Sequence, residues 1–277
     1  MTSNVIYIIS PVPKNNKTTM GIKTFNDKME KDGWCHIPNA YSDEIIDQVN
    51  SELANLDQIY VPIQKEAGIY SESVNAYHHT IMVCPSMLKL LDPNPIHEFL
   101  SAYFNGKYIL NTMGASIINP NSNIYTQKIH RDIRSHTKGL NILTNTLIML
   151  DDSTEENGAT WMFSGSHRRP EQPDSEEFYN KSVRAFGKKG DVLIFDGNIW
   201  HAAGENKSKQ ARRILTPIYT KPFMKQQLDY PRAFGYDFAR TISKELKQTL
   251  GYNSLVPTRL DEFYQPTDKR FYKSDQG

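Results

Sequence analysis

The stretch Ile129-His130-Arg131-Asp132-Ile133 sets an imidazole and a carboxylate two residues apart. On a strand, alternate residues share a face, so His130 and Asp132 are expected side by side in a sheet interior. Alone, an H-x-D pair is a common chance occurrence. A second histidine, His201, ends the run GDVLIFDGNIWH behind the apolar pair Ile199-Trp200. A buried histidine is more often a hydrogen-bonded core residue than a ligand, so its meaning depends on what faces it. The polar turn at Asn206 to Lys209 suggests a hairpin that pairs Ala203 with Gln210. His201 then faces Arg212 from the same side of the sheet. An interior guanidinium without an anionic partner is costly, and no nearby acidic residue is assigned to it. A one-residue slip exchanges Arg212 for Arg213, which is the second candidate.

Two His and one carboxylate form the facial donor set of non-haem Fe(II), with three metal positions left open. The charges invite a further ligand. Fe(II) brings two positive charges and Asp132 one negative. A dianionic 2-oxo acid chelating through its keto group and one carboxylate leaves the site at about −1. Arginine can neutralise the far carboxylate through two parallel hydrogen bonds, a role that lysine fills less well.

The elements around these residues follow from patterning. Residues 1–23 read as a polar N-terminal arm. SDEIIDQVNSELANLD reads as a helix capped by Ser42, with Ile45, Val49 and Leu53 at four-residue spacing. Further helices are expected after Pro85 and from Pro95 to Phe104. From about 108 to 222 short Ile/Thr/Val/Tyr-rich runs alternate with Gly/Asn/Asp turns. These runs, IYTQKIHRDI among them, predict a β-sandwich or small barrel. Residues 223–277 return to helix, with Phe238, Ile242, Leu246 and Leu250 on one face and Gly251 at its end. The whole chain, 1–277, reads as one mainly β domain with flanking helices.

Composition narrows the classes. With 277 residues the chain can bury a sizeable core. Lys and Arg total 32 against 31 Asp and Glu, a net charge of +1, which lacks the footprint of a general nucleic-acid binder. No run approaches the roughly 18 apolar residues of a membrane span, and the start is a poor signal peptide. Two cysteines, Cys35 and Cys84, are too few for a disulfide framework. The expectation is a soluble, cytoplasmic protein with free thiols.

At this point the chain resembles the phytanoyl-CoA dioxygenase family of Fe(II)- and 2-oxoglutarate-dependent oxygenases. The resemblance rests on KDGWCHIPNAYSDEII at 31–46, HRD at 130–132, ENGATWMFSGSH at 156–167, GDVLIFDGNIWH at 190–201, and Arg212. It covers about 24 to 222, in order and spacing. It implies a double-stranded β-helix, or jelly roll. It implies that His130, Asp132 and His201 bind iron and carry catalysis, and that Arg212 binds 2-oxoglutarate. It implies that O2 and 2-oxoglutarate oxidise a C–H bond of a small molecule, giving succinate and CO2. Halogenases of this kind lack the carboxylate, so Asp132 points to hydroxylation or another C–H oxidation, and away from halogenation. Many members carry a hydroxyl residue two after the distal His, where this chain has Ala203. Ser116 and Gln127 are the candidates to compensate. Loops 60–84 and 168–182 and the C-terminal region are expected to line the substrate pocket, with Tyr70, Tyr77 and His78 as contacts. The substrate is expected to be a small polar metabolite, with no nucleic acid and no membrane involved. The rival readings are a jelly-roll protein that binds a metal or organic acid without turnover, and a different metal in a cupin-type site.

Overall fold

The computed structural model of the protein describes residues 20–276 apart from Asn123, and only the backbone of Glu72 and Ser73. Among the described residues nine strands follow in chain order: β1 (Trp34–Ile37), β2 (Ala76–Tyr77), β3 (Ile109–Ile118), β4 (Leu143–Met149), β5 (Thr160–Met162), β6 (Val183–Ala185), β7 (Val192–Asp196), β8 (His201–Ala202) and β9 (Arg212–Thr220). They form two antiparallel sheets. The larger runs β1-β7-β4-β9-β3-β2 and the smaller β6-β5-β8. This is the mainly β, helix-flanked jelly roll that the sequence led us to expect. The sheets stay open at their edges.

Strand periodicity divides the core into two layers. On the outer face of the larger sheet, Leu110, Met113, Ala115, Ile148, Val192, Ile194, Leu215 and Tyr219 pack against helices. The helix Ile22–Asp32 buries Phe25 and Met29, and the helix Asp43–Leu53 buries Ile45, Ile46, Val49 and Leu53. Each such side chain contributes roughly 1.5–3 kcal/mol by leaving water. Facing the smaller sheet, Leu147, Met149, Leu193, Phe195 and Ile214 meet Met162, Ala185 and Ile199. Residues of alternate parity along β3, β4, β7 and β9 therefore enter the space between the sheets. The register pairs Ser116 with Ile214, Gly114 with Thr216 and Asn145 with both Ile218 and Phe195.

Several local expectations change. Residues 1–19 of the expected arm lie outside the described residues, and residues 22 and 23 already belong to the first helix. The segment around His130 is no strand. A 3₁₀ turn, Tyr125–Gln127, precedes it, and only a single bridge joins His130 to His201. The expected hairpin of Ala203 with Gln210 does not form, because β8 and β9 belong to different sheets. The link between them is held instead by the buried Asn206, whose Nδ2 donates to Ile118 O at 2.7 Å and Gln210 O at 2.8 Å. The long C-terminal helix is broken as well. Ser243 Oγ accepts from Leu246 N–H and so starts a separate helix, Lys244–Thr249. Gly251, at φ 88°, stops it in the left-handed conformation that glycine tolerates. No described helix is long and apolar enough to cross a membrane.

Candidate active site

His130 and His201 meet through reciprocal backbone hydrogen bonds, N–H to O at 3.0 and 2.9 Å. That pairing brings their rings to 4.2 Å between centroids. Asp132 reaches both rings at their Nε2 atoms, its Oδ1 3.8 Å from His130 Nε2 and its Oδ2 3.7 Å from His201 Nε2. One donor atom from each of the three falls within 4.8 Å of the others, close enough to share one cation. The turn before His201 is held by Asp196. Its Oδ1 accepts from Asn198 N–H at 2.7 Å, and its Oδ2 accepts from Tyr103 Oη at 2.8 Å.

Each imidazole is set for metal binding by its other nitrogen. His130 Nδ1 lies 2.7 Å from Lys128 O and His201 Nδ1 lies 3.1 Å from Ile199 O. A carbonyl can only accept, so Nδ1 carries the hydrogen and Nε2 keeps its lone pair for the centre. Burial, and then the neighbouring His130, push His201 down to about 4, against the opposing pull of Asp132. His201 is therefore neutral near pH 7, the form that binds a metal.

The sequence reading missed one participant. Asn145, on β4, is buried, and its Nδ2 donates to Asp132 Oδ2 at 2.7 Å. Its Oδ1 is buried without a hydrogen-bond partner among the described residues, and Asn145 lines the cavity at the centre. The signal was present: in LTNTLIM, Asn145 has the inward parity of Leu147, and a buried strand amide needs a partner.

Arg212 begins β9 and is fully buried. Its Nε donates to Asn157 O at 3.1 Å, while both terminal nitrogens lack a partner among the described residues. Burial, and next the nearby Arg184, lower its pKa to about 10, with Asp151 opposing. It has the parity of Ile214 and Thr216, which line the metal cavity. Arg213 turns to the other face and pairs with Asp151, Nε to Oδ2 at 2.9 Å and a terminal nitrogen to Oδ1 at 2.6 Å. An orphaned guanidinium on the strand face that lines the cavity of three metal-type donors suits the distal carboxylate of a chelating 2-oxo acid.

The remaining candidates separate. The metal cavity, about 290 Å³, is lined by Ser116, Ala203 and His78 among others. Ser116 therefore sits across from Ile214, within the cavity. Gln127 faces a second cavity of about 630 Å³ beyond Ala203. Its amide is committed to its own turn, accepting from Ile124 N–H at 2.9 Å and donating to Ser122 O at 3.2 Å. Tyr77 is buried with its hydroxyl on Asp57 at 2.5 Å, and Tyr70 lies outside the cavity. Asn157-Gly158 forms the seat of Arg212. A Cβ at Gly158 would sit 2.4 Å from Gly204 O, so the two turns pack backbone on backbone.

The chain has relatives among known proteins. It is similar to the uncharacterized protein Rv1501 of Mycobacterium tuberculosis, 36% identical over 154 residues, 56% of each chain. The aligned region thus spans just over half of that relative's length. It is also similar to the dioxygenase olcK of Penicillium canescens, 26% identical over 74% of this chain and 73% of that one. Among solved structures, AviO1 from Streptomyces viridochromogenes superposes with a TM-score of 0.58 at 19% identity, over 74% of this chain and 97% of that chain. The non-heme alpha ketoglutarate dependent epimerase SnoN superposes at 0.54 with 15% identity, over 72% and 82%. At these identities the two structures speak for the fold. Since the sequence profile named Phytanoyl-CoA dioxygenase (PhyH) matches residues 29–214, a span that holds every donor described above, the chain belongs to the phytanoyl-CoA dioxygenase family.

Proposed function

We propose that the protein is an Fe(II)- and 2-oxoglutarate-dependent dioxygenase that hydroxylates an unactivated C–H bond of a small-molecule metabolite. The observation that carries this is the His130-Asp132-His201 cluster together with Arg212, which is fully buried, has two nitrogens unpartnered among the described residues, and shares the strand face of the cavity-lining Ile214 and Thr216. When bound, iron, O2 and 2-oxoglutarate supply the oxidation, with CO2 and succinate as co-products. The chain's own residues do the rest. His130 and His201 offer Nε2, each oriented through Nδ1 by a backbone carbonyl. Asp132 supplies the negative charge, oriented by Asn145. Its presence leaves no halide position among the protein donors, which favours hydroxylation over halogenation. Arg212 holds the far carboxylate of 2-oxoglutarate, and Ser116 lies beside that path. Phe195, 4.9 Å from His201 between ring centroids, and Ile214 keep water from the reacting centre.

The direct test is an anaerobic titration with Fe(II) and 2-oxoglutarate, followed by exposure to O2. A visible absorption band from the iron-bound 2-oxo acid, then release of succinate, is expected. Loss of the band in Asp132→Ala and His201→Ala, with folded protein retained, supports the donor assignment. An unchanged metal content in those variants rejects it.

A further inference from the structure

The mouth of the metal cavity carries three side chains that the proposed chemistry leaves unused. Arg134 lies on the loop after Asp132, His78 follows β2, and Gln227 lies beyond β9; all three line the cavity. All are exposed, and none of the three side chains makes a hydrogen bond or ion pair with another described residue. Their backbones are held. Ile133 N–H donates to Gly197 O at 3.1 Å, and Gln227 N–H donates to Asn111 O at 3.2 Å. The Arg131 guanidinium bonds Pro170 O at 3.1 Å and Arg134 O at 3.3 Å, and lies over the Trp200 ring. Arg134 is therefore presented from a braced turn, two residues from a metal donor.

Charge decides what this mouth can take. Among the described residues lining the cavity, Asp132 is the sole carboxylate. With Fe(II), a 2-oxoglutarate dianion, Asp132 and Arg212 in place, the formal charges cancel. Arg134 is then left as one uncompensated positive charge. We propose that Arg134, assisted by His78 and Gln227, is the recognition subsite for a substrate carboxylate. The substrate class is a small organic acid with a single carboxylate. This rests on the dioxygenase reading and names the substrate class of that site. One carboxylate balances Arg134, whereas a phosphate monoester, at about −1.5 to −2 near neutral pH, overbalances it. Size agrees. A cavity of about 290 Å³ is at the low end for ligand sites, roughly 300–1,000 Å³, and 2-oxoglutarate takes part of it.

The test uses the anaerobic Fe(II)/2-oxoglutarate complex and its visible band. The probes are small aliphatic, aromatic and N-acyl amino acids, each with its primary amide and a phosphate monoester of the same skeleton. Binding beside the metal shifts the band, while displacement of 2-oxoglutarate bleaches it, so the two events are read apart. At least one acid is expected to shift the band and to bind at least 10-fold more tightly than its amide. Arg134→Gln should equalise acid and amide, and Arg134→Lys should keep part of the preference. The proposal is overturned by an amide that binds as well as its acid, by phosphate esters that bind more tightly than the acids, or by a preference that survives in Arg134→Gln. A band that forms and ignores every acid overturns this proposal alone. A protein that never forms the band overturns the dioxygenase reading and this inference with it.

Discussion

At the scale of single residues, the site keeps two polar groups that folding alone does not reward. Arg212 leaves two buried nitrogens unpaired and Asn145 leaves its Oδ1 unpaired. Such groups cost stability unless a ligand completes them, so both mark where ligand atoms are expected. Asn145 acts through Asp132. Without the 2.7 Å hydrogen bond to Oδ2, the carboxylate is free to rotate away from the imidazoles. Partners of metal donors typically contribute about 10–100-fold to metal affinity. Asn145→Ala is therefore expected to weaken Co(II) or Fe(II) binding by about that factor, measured by equilibrium titration. Loss of iron binding no larger than in a distant surface variant would assign Asn145 to packing alone.

At the scale of elements, strand parity separates two adjacent arginines. Arg212 enters the space between the sheets, and Arg213 reaches Asp151 on the other face. The second pair is partly exposed, so its contribution is small, at most about 1 kcal/mol after solvent screening. Arg213→Gln should lower stability only slightly and leave the affinity for 2-oxoglutarate near that of the parent. Arg212→Gln should weaken that affinity roughly 100-fold or more, because breaking a buried charged pair costs about 3–5 kcal/mol. Titration of 2-oxoglutarate against both variants decides the matter, and equal losses would reject the register. The same parity was readable in RRILTPIYT, but the two faces could be named only once the neighbouring strands were known.

For the whole molecule, the site joins parts that the chain keeps apart. His201 lies in the smaller sheet, His130 on a loop bridged to it, and Arg212 in the larger sheet. A metal and a dianion bound there, as proposed, would link the sheets in the folded state only. A ligand at 100 times its Kd stabilises by about 2.7 kcal/mol. For a chain of this size, each kcal/mol raises Tm by about 2–4 °C. Mn(II) with 2-oxoglutarate should therefore raise Tm by roughly 5–10 °C in a thermal melt. Arg212→Gln should keep the part due to the metal and lose the part due to 2-oxoglutarate.

Much of this organisation was legible along the chain. The helix at Asp43–Leu53 and strands β3, β4, β7 and β9 follow from local periodicity, which a single segment carries by itself. The order H-x-D, His, Arg was also visible, since residue type and spacing need no partner. The placement of His201 opposite Arg212 on one hairpin was not correct, because the turn at Asn206 crosses between sheets. Turn chemistry reports a change of direction, and not which sheet the next strand joins. Asn145 beneath Asp132, and Arg134, His78 and Gln227 around one mouth, depend on segments far apart in sequence. Their meeting is set by how two sheets stack and which loops cover the opening. The amino-acid order determined which groups are available and which of them share a face of a strand. Packing between the layers decided which of them share a cavity, because contacts across a sandwich leave no period in the chain.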